Sequence, residues 1–300
     1  MACGTGKTFT ALRLAEELAG SGKRVLFLVP SLSLLGQTLT EWTQDSLIPL
    51  NSFAVCSDSD VGKKTDDDDR VITGMSDLQF PATTKASSLC NELVKSEKAH
   101  PNSMTVVFST YHSIDVINQA QNLEGNPLGE FDLIICDEAH RTTGATFDGD
   151  NESAFVRVHN NDYIQAKKRL YMTATPRIYG TTAKNTENVT LCSMDDETLY
   201  GKELFVITFS EAVSRKLLVD YKVIVLAVEE SHINKRLQDL LKDENNSLKV
   251  DDAAKIVGCW KALSKQGLFE SGSDLADPMK RAVAFCQVID QTAKARKHQV

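Results

Sequence analysis

The chain has 300 residues, with 33 Lys and Arg against 41 Asp and Glu, for a formal net charge of −8. Its 42% hydrophobic and 25% charged residues are an ordinary globular composition, which excludes a disordered tail, a collagen-like fibre and a small disulfide scaffold. The length predicts about two domains, and the longest strongly apolar run, Val25 to Val29, is far shorter than the roughly 20 residues a membrane span needs.

The acidic balance argues against a protein that coats nucleic acid by bulk charge, and leaves room for a local binding track. Seven cysteines stand at wide spacing without a CxxC pair, a pattern expected of reduced thiols in a cytosolic protein. The opening MACGTGKT has neither a basic segment nor an apolar one, so no secretory signal is visible and a cytoplasmic location is expected. The triplets headed by Asn151, Asn188 and Asn245 are then chance matches to a glycosylation pattern.

In chain order, Thr8 to Ala19 reads as a helix, with Ala11, Leu12, Ala15, Leu18 and Ala19 at three- and four-residue spacing and Gly20 and Gly22 closing it. VLFLV (Val25 to Val29) reads as a buried strand, and Leu32 to Trp42 as a second helix. Further buried strands are expected at Thr105 to Thr110, Asp132 to Cys136, Arg169 to Ala174, Lys222 to Val228 and Ala282 to Cys286. Near-continuous apolar strands spaced by helices predict an α/β fold, a parallel sheet with helices on both faces. Polar stretches interrupt the pattern at Asp58 to Ser103, Thr142 to Asn161 and Tyr179 to Leu199; the run Asp66 to Asp69 reads as a solvated loop. A domain boundary is expected within residues 212–221, giving domains over 1–211 and 222–300. Ser231 to Gln266 reads as mainly helical, with Ile233, Leu237, Leu240 and Leu241 on one face.

The strongest chemical signal is Gly4-Thr5-Gly6-Lys7-Thr8 running directly into a helix. Phosphate needs converging backbone N–H groups, and glycines let the backbone curl closely enough. The helix N-terminus adds open donors and a positive dipole end. Lys7 can reach the β- and γ-phosphates of a nucleotide, and the Thr8 hydroxyl can ligate Mg²⁺. The strict loop pattern would have glycine where Met1 stands, and a glycine-rich turn that binds nothing is the alternative. The second signal is Phe131 to His140, FDLIICDEAH, a buried strand ending in two acids. Adjacent carboxylates at a strand end are costly to desolvate without a cation; Asp137 would sit on Mg²⁺, and Glu138 would orient and activate an attacking water. The third is Thr173-Ala174-Thr175-Pro176, small hydroxylated residues that can hydrogen-bond His140 and link the nucleotide site to the domain cleft.

In that order the three motifs resemble motifs I, II and III of superfamily 2 helicases and translocases. The longer phrases MACGTGKT, VLFLVPSLSLL, DEAHRTTG and KKRLYMTATPRIY are similar to the motor of Type I and Type III restriction enzymes, and most of all to the single-polypeptide Type ISP restriction–modification enzymes. The likeness runs from Ala2 to about Val228, and more thinly through AVAFC. It implies a RecA-like domain followed by the start of a second, and ATP hydrolysis with Mg²⁺ coupled to movement on double-stranded DNA. It also implies phosphate-backbone contacts from Pro30, Ser31, Gln37 and Thr38, and from Thr110, Tyr111 and Ser113; such contacts position a duplex without reading its sequence. Lys167-Lys168-Arg169 is either part of that track or a solvated helix end, and His112 and His159 have no ligand-like partners in the sequence.

Relatives place a core strand before the phosphate loop, and an arginine-bearing Q-x-x-G-R-x-x-R stretch in the second domain. Neither is present here, so the expectation is a fragment of a motor, inactive alone, whose nuclease and methyltransferase parts would belong to the missing remainder of the same polypeptide. A superfamily 2 enzyme acting on RNA or repair DNA, and a nucleotide-binding regulatory module without turnover, remain the alternatives.

Overall fold

The computed structural model describes residues 1–56, 82–125, 127–146, 154–179, 190–221, 258–260, 262–264 and 281. The acidic run Asp66 to Asp69, the strands expected at Lys222 and Ala282, most of the helical stretch from Ser231, and Asn151, Asn188 and Asn245 lie outside these residues. The chain divides into two compact units, Met1–Asp220 and Tyr221–Val300. Of the second, only Tyr221, short helical pieces and Arg281 are described, and Trp260 is exposed.

In the first unit the order is α1 (Lys7–Leu18), β1 (Arg24–Val29), α2 (Leu32–Asp45), β2 (Leu50–Val55), β3 (Ala82–Thr83), α3 (Ala86–Ala99), β4 (Met104–Thr110), α4 (Ile114–Gln121), β5 (Leu133–Cys136), β6 (Gly144–Thr146), β7 (Arg169–Tyr171), β8 (Thr190–Cys192), α5 (Glu197–Tyr200) and α6 (Phe209–Ser214). Six strands form one sheet in the order β3-β2-β4-β1-β5-β7, and every pairing in it is parallel. β6 and β8 form a separate antiparallel pair.

β1 shows why the sheet is covered on both faces. Val25, Phe27 and Val29 pack with Ala11, Leu12 and Ala15 of α1 and Leu35, Leu39 and Trp42 of α2. Leu26 and Leu28 point the other way, to Leu89 and Leu93 of α3 and Ile114 and Ile117 of α4. Successive strand side chains alternate faces, so a strand buried on both sides must be apolar throughout, as β1 is. The expected parallel α/β sheet of RecA type is the fold found.

The polar interruptions hold more structure than expected. Residues 58–103 include α3, whose Leu89, Cys90 and Leu93 are fully buried. Three apolar side chains at helical spacing suffice for one narrow face, and the rest of α3 is polar because it faces water. β2 and α4 are two elements the apolar-run pattern passes over; β2 mixes Asn51 and Ser52 into its strand. The strand expected to reach Ala174 ends at Tyr171.

Candidate functional site

Parallel pairing puts the C-terminal ends of β1, β4, β5 and β7 along one edge of the sheet. Register carries this through: Leu28 lies opposite both Ser109 and Cys136, and Cys136 opposite Tyr171. The expected phosphate loop, acidic pair and TATP segment therefore meet at the crevice where open α/β sheets bind ligands.

Gly4 and Gly6 both hold left-handed φ angles, +76° and +83°. A Cβ at Gly4 would come within 3.1 Å of Leu218 Cδ2. Gly6 is the N-cap of α1, and no side chain caps the helix there. α2 differs: Ser31 Oγ accepts from Leu34 N at 3.4 Å. The donor end of α1 is thus left open where that of α2 is closed. The loop is tethered by Ala2 N donating to Ile207 O at 3.0 Å, and Trp42 Nε1 donates to Thr8 O at 3.2 Å.

β5 delivers the acids. Asp137 N donates to Leu28 O, which prolongs the ladder by one residue. Glu138 then takes a left-handed φ of +48°, uncommon outside glycine and sustained only where surroundings hold it. The bend sets Glu138 Oε1 4.0 Å from Lys7 Nζ and Oε2 3.4 Å from His140 Nδ1. Asp137 is buried, and its carboxyl is pushed up to about 6, first by burial and then by the neighbouring Glu138. The bond from Glu138 N and the charge of Lys7 only partly offset this.

His140 Nδ1 lies 2.9 Å from Thr173 Oγ1 and 3.4 Å from Thr175 Oγ1. Burial lowers its pKa first; Glu138 opposes that, and Arg141, Arg177 and Lys7 add to it. Thr173 Oγ1 also accepts from Thr175 N at 3.1 Å, which closes the TATP turn around the imidazole. Lys7, Asp137, Glu138, His140, Thr173 and Thr175 are brought together; Ala174 is half-buried in the same turn.

The candidate DNA residues fall into two groups. Pro30 and Ser31 follow β1, with the Ser31 hydroxyl capping α2; Gln37 is exposed and bonds Glu41 at 2.8 Å. Thr38, Thr110, Tyr111 and Ser113 are buried. Thr110 and Ser113 bond each other at 2.8 Å, and the Tyr111 hydroxyl donates to Asp137 O at 2.8 Å. Lys167 pairs with Asp132 at 2.7 Å, and Arg169 binds the carbonyls of Val158 and Ile164. These two lie at the start of β7, at the opposite edge of the sheet, and residues 160–168 that lead into them are not helical. His159, which the sequence left without ligand-like partners, contacts Tyr171 and Thr142; nothing in its local sequence marks these contacts. Among the described residues, no group of three or more His, Cys, Asp or Glu could hold a metal, and no helix is long and apolar enough to cross a membrane.

A family model described as "Type III restriction enzyme, res subunit" matches residues 1–178. A structure of the ATP-dependent Type ISP restriction–modification enzyme LlaBIII bound to DNA is 44% identical, with a TM-score of 0.73 over 94% of this chain and 18% of that one. A nuclease-deletion mutant of the Type ISP enzyme LlaGI, in complex with a DNA substrate mimic, is 43% identical with a TM-score of 0.56, over 75% of this chain and 16% of that one. A probable helicase of African swine fever virus is 29% identical over 228 residues, 76% of this chain. The chain spans about a fifth of the length of these relatives, 21% of the viral helicase and 18% of LlaBIII.

Proposed function

The chain belongs to the family of the Type III restriction enzyme res subunit, and from that premise we propose that it is the ATP-hydrolysing part of a motor that moves on double-stranded DNA. The observation that carries the reading is the meeting of Lys7, Glu138 and His140 in front of the open N-terminus of α1, with the buried Asp137 beside them.

The residues fit Mg·ATP. The open N–H groups of α1 and the left-handed glycines form a cradle for phosphate. Lys7 Nζ supplies a point charge to the phosphates, and the Thr5 backbone completes the loop. Asp137 and the Thr8 hydroxyl would hold Mg²⁺; the raised Asp137 pKa is the mark of a carboxylate that lacks a cation strong enough to offset its burial. A site with one carboxylate and one hydroxyl suits Mg²⁺, which keeps waters and phosphate oxygens as its other ligands. When bound, the ion would draw charge from the phosphate oxygens. Glu138, held between Lys7 and His140, takes the proton of the attacking water, and His140 ties that acid to Thr173 and Thr175, the segment that would pass the nucleotide state onward.

Duplex DNA would run past Pro30, Ser31, Gln37, Thr38, Thr110, Tyr111 and Ser113. The buried members would act by holding backbone N–H groups toward the phosphates rather than through their own side chains. The DNA-complex neighbours and the family support duplex DNA as the track. Nuclease and methyltransferase parts, like the strand direction of movement, would belong to other segments of the full-length protein.

Two substitutions in the full-length protein test this. Lys7→Ala abolishes ATP hydrolysis with the fold retained, because loss of a charge aimed at the transferring phosphate costs on the order of several kcal/mol in the transition state. Glu138→Gln leaves Mg·ATP affinity within about tenfold while slowing hydrolysis at least about 100-fold, the ordinary worth of general-base activation. Steady-state turnover unchanged in Lys7→Ala, or stimulation by RNA and not by linear duplex DNA, would overturn the reading.

A further inference from the structure

The turn that carries the acidic pair, continued by the short helix Ala139–Thr142, is tied to β7 and its extension by side chains at two places. One is the pair His140–Thr173. The other lies on the turn's far side and is made by His159, which comes from a separate short helix, Val156–His159. His159 Nε2 lies 3.1 Å from Thr142 O, and Nδ1 lies 2.9 Å from the Tyr171 hydroxyl. Tyr200 of α5 adds its hydroxyl, 3.0 Å from Thr142 Oγ1, and Thr142 Oγ1 donates to Ala139 O at 2.8 Å. The rings close on one another: His159 stands 5.3 Å from Tyr171 and 4.8 Å from Tyr200, centroid to centroid, and the two tyrosines 4.9 Å apart.

The partners dictate where the protons are. A carbonyl can only accept, so Nε2 carries the hydrogen and donates to Thr142 O. In a neutral ring Nδ1 then accepts from Tyr171. Thr142 spends its one hydroxyl hydrogen on Ala139 O, so Tyr200 must donate to Thr142. Each donor meets one acceptor only if His159 is neutral. Burial and Arg169 lower its pKa, while the bond to Thr142 and the charge of Asp196 oppose them.

We propose that His159 is a positioning residue for the hydrolytic step: as a neutral imidazole it clamps the Thr142 carbonyl to Tyr171 on β7 and so holds the turn that aims Asp137 and Glu138. The inference rests on the ATPase reading above. Glu138 sits in a left-handed conformation that a free turn would relax. The turn is also tied to the segment after β7 by Ala139 N to Met172 O and by the His140 contacts. A loosened turn keeps its acids, and so keeps nucleotide binding, but spreads their positions.

The experiment uses the full-length protein with His159→Phe, His159→Gln, His159→Asn and Tyr171→Phe. The Gln amide reaches the place of Nε2 and can still donate to Thr142; the Asn amide reaches only the place of Nδ1. The expected result is a kcat for ATP hydrolysis reduced about tenfold in His159→Phe, with KM within about threefold, since small misplacement of catalytic groups costs rate before binding. His159→Gln recovers most of the loss and His159→Asn does not. Without nucleotide, amide hydrogen exchange over residues 139–143 is faster in His159→Phe and Tyr171→Phe, and ¹⁵N shifts of His159 report the Nε2–H tautomer. Equal rescue by Gln and Asn, the Nδ1–H tautomer, or unchanged exchange over the turn would each overturn the inference. The exchange and tautomer measurements need no ATP, so a failure of the ATPase reading, seen in Lys7→Ala, stays distinguishable from a failure of this one. If His159→Phe does not fold, the Gln–Asn comparison and Tyr171→Phe decide.

Discussion

Asp137 concentrates the electrostatic tension of the molecule. Its ordinary pKa of 3.8 rises to about 6 in the folded chain, through burial and the adjacent Glu138. A folded-state pKa above the unfolded one favours the native state only while the group is protonated. The stability is complete below pH 3.8 and is lost as pH rises through about 6. Asp137→Asn should therefore raise the stability of the nucleotide-free chain at pH 8, by roughly 1–3 kcal/mol for a shift of this size, and change it little at pH 4. His140 and His159 act in the opposite sense: with lowered pKa values, the stability they carry is present above their ordinary 6.5 and lost as pH falls through their folded values. They contribute equally to wild type and variant, so the difference between the two thermal melts isolates Asp137. A difference that is the same at pH 8 and pH 4 would contradict the assignment. The sequence showed two adjacent acids at a strand end; that one is buried and the other turned back by a left-handed φ followed from the surroundings.

Helices α1 and α2 begin at the same edge of the sheet and do different work. Ser31 closes α2, and Ser31→Ala should cost about 1 kcal/mol of chain stability, the usual worth of an N-cap hydroxyl, with Mg·ATP affinity unchanged. α1 is left open, and its cap residue Gly6 holds a φ of +83° with no atom within 4 Å of an added Cβ. Gly6→Ala should cost roughly 1–2 kcal/mol in backbone strain, and in addition abolish nucleotide binding, because the Cβ would stand in the open space in front of the helix end. Thermal melts and ATP titration on the two variants check the contrast; an ATP affinity lost in Ser31→Ala and kept in Gly6→Ala would reverse the roles assigned to the two ends. α1 was legible because Ala11, Leu12, Ala15, Leu18 and Ala19 recur at helical spacing just before Gly20 and Gly22, and β1 because it is an unbroken apolar run. α3 and α4 were not read, since α3 buries one narrow face and α4 is only eight residues long.

At the scale of the whole first unit, one aromatic cluster joins the core to the phosphate loop. Trp42 is fully buried, edge-on to Phe27 at 5.0 Å and to Phe108 at 5.6 Å, and its indole N–H reaches Thr8 O in the first turn of α1. Trp42→Ala should destabilise the chain by about 3–5 kcal/mol, the range for emptying an aromatic site in a core. Trp42→Phe should restore most of that stability while ATP binding stays weakened by the loss of the donor, read by denaturant melts and ATP titration on the same samples. Full recovery of both in Trp42→Phe would show that the bond to Thr8 carries nothing.

The α/β class, the parallel sheet, the strands β1, β4 and β5, and the three motifs with their family could all be read from the order of amino acids. Each of these is written in a contiguous stretch, as a period of burial or a short run of residue types that one chemistry requires. Folding was needed to show that Glu138 stands between Lys7 and His140, that Tyr111 is committed to Asp137 O in the core, and that His159 closes on Thr142 and Tyr171. The physical reason is the parallel sheet. Its neighbouring strands are joined by long crossovers, so residues distant in the chain meet through pairing register and sheet order, and the apolar pattern of a single strand encodes neither.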